Sequence, residues 1–175
     1  MAAFIDLGDQ QSKFGVKRQA RIRWVLPETK NEKGEPFVIF QTIWNLSMRS
    51  EAFRDIVSAL LPDESLKGRS LRELVGKAAR LAVEHNDDSG QIYANVVSVK
   101  PLKPGTSAPV LEPSKLVYFS LDPAEFDRAD FDTLSERDRE KIQVTDAYKT
   151  ATFVVANKGK PAQAVIDDGI PDAWA

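Results

Sequence analysis

Cationic side chains recur at alternate positions in the N-terminal part of the chain. Lys17, Arg21 and Arg23 share one side of a predicted strand, with Gln19 between them. Successive side chains of a strand point to opposite faces, so these three cations would project from a single face. Such a row can follow the phosphates of a nucleic acid, and an ordinary solvated strand face is the alternative. Three cations in alternation leave no room for countercharges on that face, which favours phosphate binding.

Binding of single-stranded nucleic acid also requires exposed aromatic rings, because stacking contributes about 1–3 kcal/mol per base. Tyr93 is the first candidate, since it directly follows a predicted hairpin turn. Trp44 and Phe37 come next, although aromatic residues in such strands often belong to the core. Trp24 shares a strand face with apolar residues and is predicted to be core. Four further cations on neighbouring strands are candidates for phosphate binding: Lys77, Arg80, Lys100 and Lys103.

The last nine residues combine carboxylates with an Ile-Pro pair and an aromatic ring. The members with functional potential are Asp167, Asp168, Ile170, Pro171 and Trp174. They end a polar segment, from residue 156 on, that is predicted to be disordered. A flexible acidic tip with apolar anchors can compete with nucleic acid for a basic groove or dock on a partner protein. The alternative is an ordinary frayed C-terminus.

Charge is distributed unevenly along the 175 residues, whose net charge is −2. Residues 1–105 carry 16 Lys+Arg and 13 Asp+Glu, and residues 106–175 carry 8 and 13. A slightly basic body with an acidic C-terminal third is compatible with nucleic-acid binding despite the negative total. The sequence contains no Cys, which excludes disulfides and thiolate metal sites. It shows neither an apolar run near 18 residues nor a signal peptide, so a cytoplasmic location and no membrane contact are expected.

Hydrophobic periodicity predicts a mainly β fold with minor α structure. The turn at 86–90 should join two strands of a hairpin, because it is rich in Asn, Asp and Gly. Ser50 is placed to cap a central helix, and Ser135 to open an amphipathic one. The predicted elements are strands at 17–26, 37–48, 78–85, 91–100 and 115–121, a helix at about 51–61, and an acidic segment, helical in two pieces, at 123–149. This count favours a small antiparallel barrel or a half-open sheet.

The two hairpin strands carry a resemblance to a known family. The stretches 76–85 and 90–99, with 21–27 upstream, resemble a family of small bacteriophage proteins from replication and recombination modules. Those proteins are similar to single-stranded DNA-binding proteins with an oligonucleotide/oligosaccharide-binding (OB) barrel. The resemblance covers about residues 15–122 and the acidic tip. In bacterial single-strand binders the Ile-Pro-Phe is terminal, whereas here four residues follow Pro171.

The resemblance implies an OB-like five-stranded antiparallel barrel with an inserted helix. The domains would be a flexible arm at 1–12, a nucleic-acid-binding domain at 13–122, a helical extension at 123–155 and a disordered acidic tail at 156–175. The implied function is sequence-independent binding of single-stranded DNA, with replication or recombination proteins recruited by the tail and a possible homo-oligomer. The implied location is the host cytoplasm. The implied nucleic-acid contacts are Lys17, Arg21, Arg23, Trp44, Lys77, Arg80, Tyr93 and Lys100, and the implied partner contacts are the five tail residues named above.

An enzyme is the least favoured reading. His85 is the only histidine, which is too few for a typical zinc site without Cys. Five acids could suggest a magnesium-dependent nuclease, but their spacing matches no metal-binding motif: Asp122, Glu125, Asp127, Asp130 and Asp132. Phosphate-loop and nucleophile-elbow motifs are missing, so no catalytic residue, metal or cofactor is predicted. The open alternative is a protein-interaction or assembly module that uses the second strand and the helix at 135–149.

Overall fold

A computed structural model describes residues 1–13, 15–62, 66, 69–88 and 90–157. Within these residues the chain forms a mainly β fold, as predicted, with six strands, four α-helices and two short 3-10 turns. The strands are β1 (Ala3–Ser12), β2 (Gly15–Lys30), β3 (Pro36–Ile43), β4 (Arg80–Asp88), β5 (Gln91–Lys100) and β6 (Val117–Phe119). The helices are α1 (Glu51–Leu60), α2 (Arg128–Asp132), α3 (Glu136–Gln143) and α4 (Asp146–Asn157), and the turns are Leu71–Leu74 and Pro113–Lys115.

The strands form two separate sheets. The main sheet has the order β3-β2-β1-β6, in which β1 and β6 run parallel and the other neighbours antiparallel. β4 and β5 form an antiparallel two-stranded ribbon. The described strands therefore differ from a five-stranded antiparallel arrangement by one additional strand and one parallel pair. None of the helices in the described ranges has the length and apolar character required to cross a bilayer.

The prediction of a flexible arm at residues 1–12 is wrong. These residues form β1, which lies between β2 and β6 and is buried from Ala3 to Gly8. Phe4 packs on one side of the sheet, and Ile5 and Leu7 pack on the other. A strand buried on both faces has apolar residues at successive positions, so it lacks the alternation by which half-buried strands are recognised.

The first core lies between one face of the main sheet and α1 with the ribbon. Trp24 is 2 % exposed there, as predicted, and its Nε1 donates to Oε1 of Gln41 at 2.9 Å. The helix predicted at 51–61 is confirmed as α1, although the side chain of Ser50 makes no capping hydrogen bond. The residues that build this core are Phe4, Ala20, Ile22, Trp24, Ile39, Ile43, Phe53, Ile56 and Leu60, with Leu81, Val83, Ala94 and Val96 of the ribbon packed against them.

The second core lies between the opposite face of the sheet and helices α2, α3 and α4. Its largest buried side chains include Phe119, Phe131 and Ile142. The acidic segment predicted as two helical pieces forms three helices, and Ser135 caps α3 as predicted by accepting from the Asp138 amide at 3.2 Å. The residues assigned to a C-terminal extension therefore form a second layer on the sheet.

The bounds of β2 and β3 differ from the predicted bounds at Pro27, Pro36 and Trp44. β2 continues through Pro27 to Lys30, with an irregular register between Leu26 and Lys30. Proline is tolerated at such an irregularity because it cannot donate to the ladder. β3 begins at Pro36 and ends at Ile43, so Trp44 lies just beyond the strand.

Candidate nucleic-acid interface

A groove of about 500 Å³ lies between the start of α3 and the face of the main sheet that carries the second core. We call it the sheet groove. Its sheet wall contains two cross-strand pairs, Arg23 with Phe40 and Arg21 with Thr42, which bring β2 cations beside β3. Its helical wall contributes a further cation, Arg137. The groove therefore combines three guanidinium groups with one aromatic ring.

Arg21 is engaged in an ion pair inside the groove. Its Nη1 lies 2.5 Å from Oδ1 of Asp138, and the two side chains are only 13 % and 5 % exposed. Asp138 is also held by Ser135, whose Oγ donates to Oδ2 at 2.7 Å. The expectation that this strand face lacks countercharges is therefore wrong. The acid comes from α3, 117 positions later in the chain, so the strand pattern could not reveal it.

Arg23 is held at one end and has an unsatisfied donor at another atom. Its Nη2 donates to the carbonyl oxygen of Lys115 at 2.5 Å. Its Nε is buried and has no hydrogen-bond partner among the residues that the structure describes. An unpaired buried donor costs about 1–3 kcal/mol.

Phe40 is the aromatic residue of the groove, and it was not among the candidates from the sequence. It is 62 % exposed, whereas the neighbouring Ile39 is 3 % exposed. Alternation along β3 carries this signal, because Ile39 and Ile43 face the first core, whereas Phe40 and Thr42 face away from it. Phe37, which the sequence favoured instead, is half-buried against the first core.

Trp44 and Lys17 both lie at one end of the main sheet, where the end of β3 is next to the start of β2. Trp44 is 67 % exposed directly after β3, and Lys17 is exposed near the start of β2. A hydrogen bond of 2.8 Å from the Leu46 amide to the Arg18 carbonyl holds this part of the chain against β2. Neither Lys17 nor Trp44 lines the sheet groove itself.

The other four predicted nucleic-acid contacts lie on the ribbon or beside it. Arg80 and Lys100 are exposed cross-strand partners, and Tyr93 is 44 % exposed opposite Asn86. Because the inner face of the ribbon packs on the first core, its outer face points away from the sheet groove. The eight residues predicted to contact nucleic acid are therefore divided between two surfaces.

A second cavity, of about 310 Å³, opens beside the start of β4. We call it the ribbon cleft. Lys77, Arg80 and Lys103 line it together with apolar side chains from β2 and from the loop after β5. Lys77 and Arg80 therefore line the ribbon cleft and not the sheet groove.

Four of the five acids considered for a nuclease site make local side-chain contacts, and Asp122 does so by accepting from the Ala124 amide at 2.9 Å. Asp127 caps α2 by accepting from the Ala129 amide at 2.7 Å, and Glu125 accepts from the Tyr118 hydroxyl at 2.5 Å. Asp132 pairs with Arg128 at 3.2 Å. Within the described ranges, no three His, Cys, Asp or Glu side chains lie close enough together to hold a metal ion. His85 is exposed in β4.

Comparison with known proteins adds no assignment. The chain matches no protein-family model, no curated protein and no solved structure. The tail residues Asp167, Asp168, Ile170, Pro171 and Trp174 lie outside the described residues.

Proposed function

We propose that this protein binds single-stranded DNA without sequence specificity through the sheet groove. The observation that carries the proposal is the cross-strand pair of Arg23 and Phe40, which sets a cation beside an exposed ring in a groove. Phosphate neutralisation and base stacking are the two terms from which sequence-independent single-strand binding is built. Lys17 and Trp44 would extend the same contact surface along the end of the sheet.

The proposal includes an OB-like half-open barrel as the scaffold. In this scheme β1, β2 and β3 supply the first part, and β4 and β5 supply the second after the inserted α1. Contact between β3 and β5 supports this arrangement, since it brings the ribbon to the edge of the main sheet. As the resemblance to bacteriophage replication and recombination proteins implies, the activity would take place in the host cytoplasm, and the acidic tail would recruit partner proteins.

Fluorescence-anisotropy titration of labelled oligo-dT tests the proposal. Phe40→Ala should weaken binding by about 5- to 150-fold, because stacking contributes about 1–3 kcal/mol per base. Arg23→Ala should weaken binding and reduce its salt dependence, because one phosphate contact is lost.

Matched controls separate the groove from general surface effects. Phe153→Ala removes an exposed ring on α4, and Arg54→Ala removes an exposed cation on α1. Both variants should bind like the wild type. Equal losses in groove and control variants, or no binding by the wild type at low salt, would refute the proposal.

A protein-interaction module is the second candidate, and exposed apolar residues on α4 favour it. Phe153, Val154 and Val155 are 56 %, 42 % and 38 % exposed. The helix at 135–149 that the sequence suggested as the contact surface is instead two helical pieces, and its Ile142 is buried in the second core. Light scattering distinguishes the two functions, because this candidate requires an oligomer insensitive to salt and without affinity for oligo-dT.

A further inference from the structure

The ribbon cleft has the chemistry of a site for an acidic segment with apolar side chains. Lys77, Arg80 and Lys103 are exposed around it, and within the described part of the chain none of them forms an ion pair. Glu28 is the acidic residue in its lining. Trp24 and Leu102 belong to its apolar wall. A ligand with several carboxylates and apolar groups would complement both features.

The chain itself contains such a segment. Residues 167–175 carry three aspartates together with Ile170, Pro171 and Trp174. We propose that the ribbon cleft is the docking site for residues 167–175 of the same chain. The carboxylates would pair with the three cations, and the apolar side chains would pack on the wall of the cleft. This assignment does not depend on nucleic-acid binding.

The length of the connecting chain permits this docking. Residues 158–166 connect the end of α4 to this segment, and nine residues can span about 30 Å when extended. A folded unit of about 157 residues has a radius of gyration of about 15 Å, so a linker of about 30 Å reaches a large part of its surface. The local concentration of a segment tethered in this way reaches the millimolar range, which favours even a weak contact.

Docking in the ribbon cleft leaves the sheet groove open. The described linings of the two sites have no residue in common. The tail and the single strand would therefore occupy different surfaces. This distinguishes the proposal from direct competition of the tail for the groove.

Paramagnetic relaxation enhancement in the full-length protein tests the assignment. The sequence has no cysteine, so Ala175→Cys provides a single position for a spin label. The label should broaden amide signals at 77–81 and 102–111. Broadening confined to Arg21, Arg23 and Phe40 would overturn the proposal, and so would the absence of broadening at the cleft.

Charge-reversal variants provide the matched comparison. Combined substitution K77E/R80E/K103E in the labelled chain should restore the cleft signals to their intensities with the reduced label. The combination R49E/R54E/K149E changes the net charge equally at exposed positions outside both cavities, and it should leave the broadening unchanged. Equal effects of the two combinations would overturn the proposal.

Two further arms keep the outcome interpretable if the cleft variant is unstable. High salt should reduce the broadening in the protein with native cleft residues, because screening weakens exposed ion pairs. Titration with oligo-dT separates this proposal from the proposed function. Loss of broadening with intact DNA binding in K77E/R80E/K103E supports the cleft assignment, whereas intact broadening in that variant contradicts it whatever the DNA affinity.

Discussion

The Arg21 guanidinium and the Asp138 carboxylate, 2.5 Å apart, join the middle of β2 to the first turn of α3. This ion pair closes one side of the sheet groove and fixes the helical layer against the sheet. It also places a negative charge where a phosphate would approach. Asp138 should therefore oppose nucleic-acid binding while it stabilises the fold.

Asp138→Asn should strengthen binding of oligo-dT several-fold at low salt, because it removes the negative charge and releases Arg21 toward a phosphate. The same change should lower the free energy of unfolding by about 3 kcal/mol, since it leaves a largely buried guanidinium without its partner. Anisotropy at about 50 and 200 mM salt and urea unfolding measure the two effects. Asp132→Asn, which alters an exposed pair with Arg128 on α2, is the control. Unchanged affinity in Asp138→Asn would contradict the prediction.

Gly8→Ala should destabilise the fold by about 1–3 kcal/mol. Gly8 has φ +72 at the bulge of β1, and an added Cβ would lie 2.9 Å from Oγ1 of Thr145 on the helical layer. Gly34→Ala is the matched control, because Gly34 has φ +77 but open space around its Cβ position. Urea unfolding should show the larger loss for Gly8→Ala. Equal losses would mean that backbone strain alone accounts for the effect.

Asp6→Asn should destabilise the protein by about 1.5–3 kcal/mol, because it weakens the charge-assisted hydrogen bonds of a buried carboxylate to the half-exposed Arg18 side chain and to two amides. Asp6 is 2 % exposed, pairs with Arg18 and accepts from the amides of Gly8 and Leu121 at 3.0 and 3.2 Å. The hydrogen bond to Asp6 raises the pKa of Arg18. A double-mutant cycle with Arg18→Gln measures the coupling free energy by urea unfolding. A coupling near zero would show that Asp6 acts through the two amides alone.

Alkaline pH should destabilise the native protein through Tyr118. Burial, followed by the hydrogen bond to Glu125, raises the pKa of Tyr118 above its usual 10.0. The neutral phenol therefore contributes stability that is complete below pH 10 and is lost as pH rises through the higher folded-state pKa. The free energy of unfolding, measured by urea titration at about pH 8 and about pH 11, should fall more in the wild type than in Tyr118→Phe. Parallel falls in the two proteins would contradict the assignment.

Sequence patterns predicted the elements that are buried on one face. Trp24, α1 and the hairpin strands around residues 86–90 follow from alternation, helical periodicity and turn composition. β1 was missed because apolar residues on both of its faces remove that alternation. The parallel pairing of β1 with β6 was also missed, since no local signal links two strands so far apart in sequence.

The candidate site was only partly accessible to sequence reasoning. Arg21 and Arg23 were correctly placed on one strand face, but their surroundings depend on tertiary contacts with Asp138 and Lys115. The exposure of Phe40 could not be predicted without knowing which face of β3 is covered. A strand pattern specifies alternation, whereas the identity of the covering layer emerges only when the helices pack.

The two-faced burial of β1 has a consequence during protein synthesis. β1 leaves the ribosome before its parallel neighbour at Val117, which is made about 10 s later at roughly 10 residues per second. The helices that cover its second face come later still. During that interval Ile5 and Leu7 remain exposed on the nascent chain, because the helices that bury them have not yet been made.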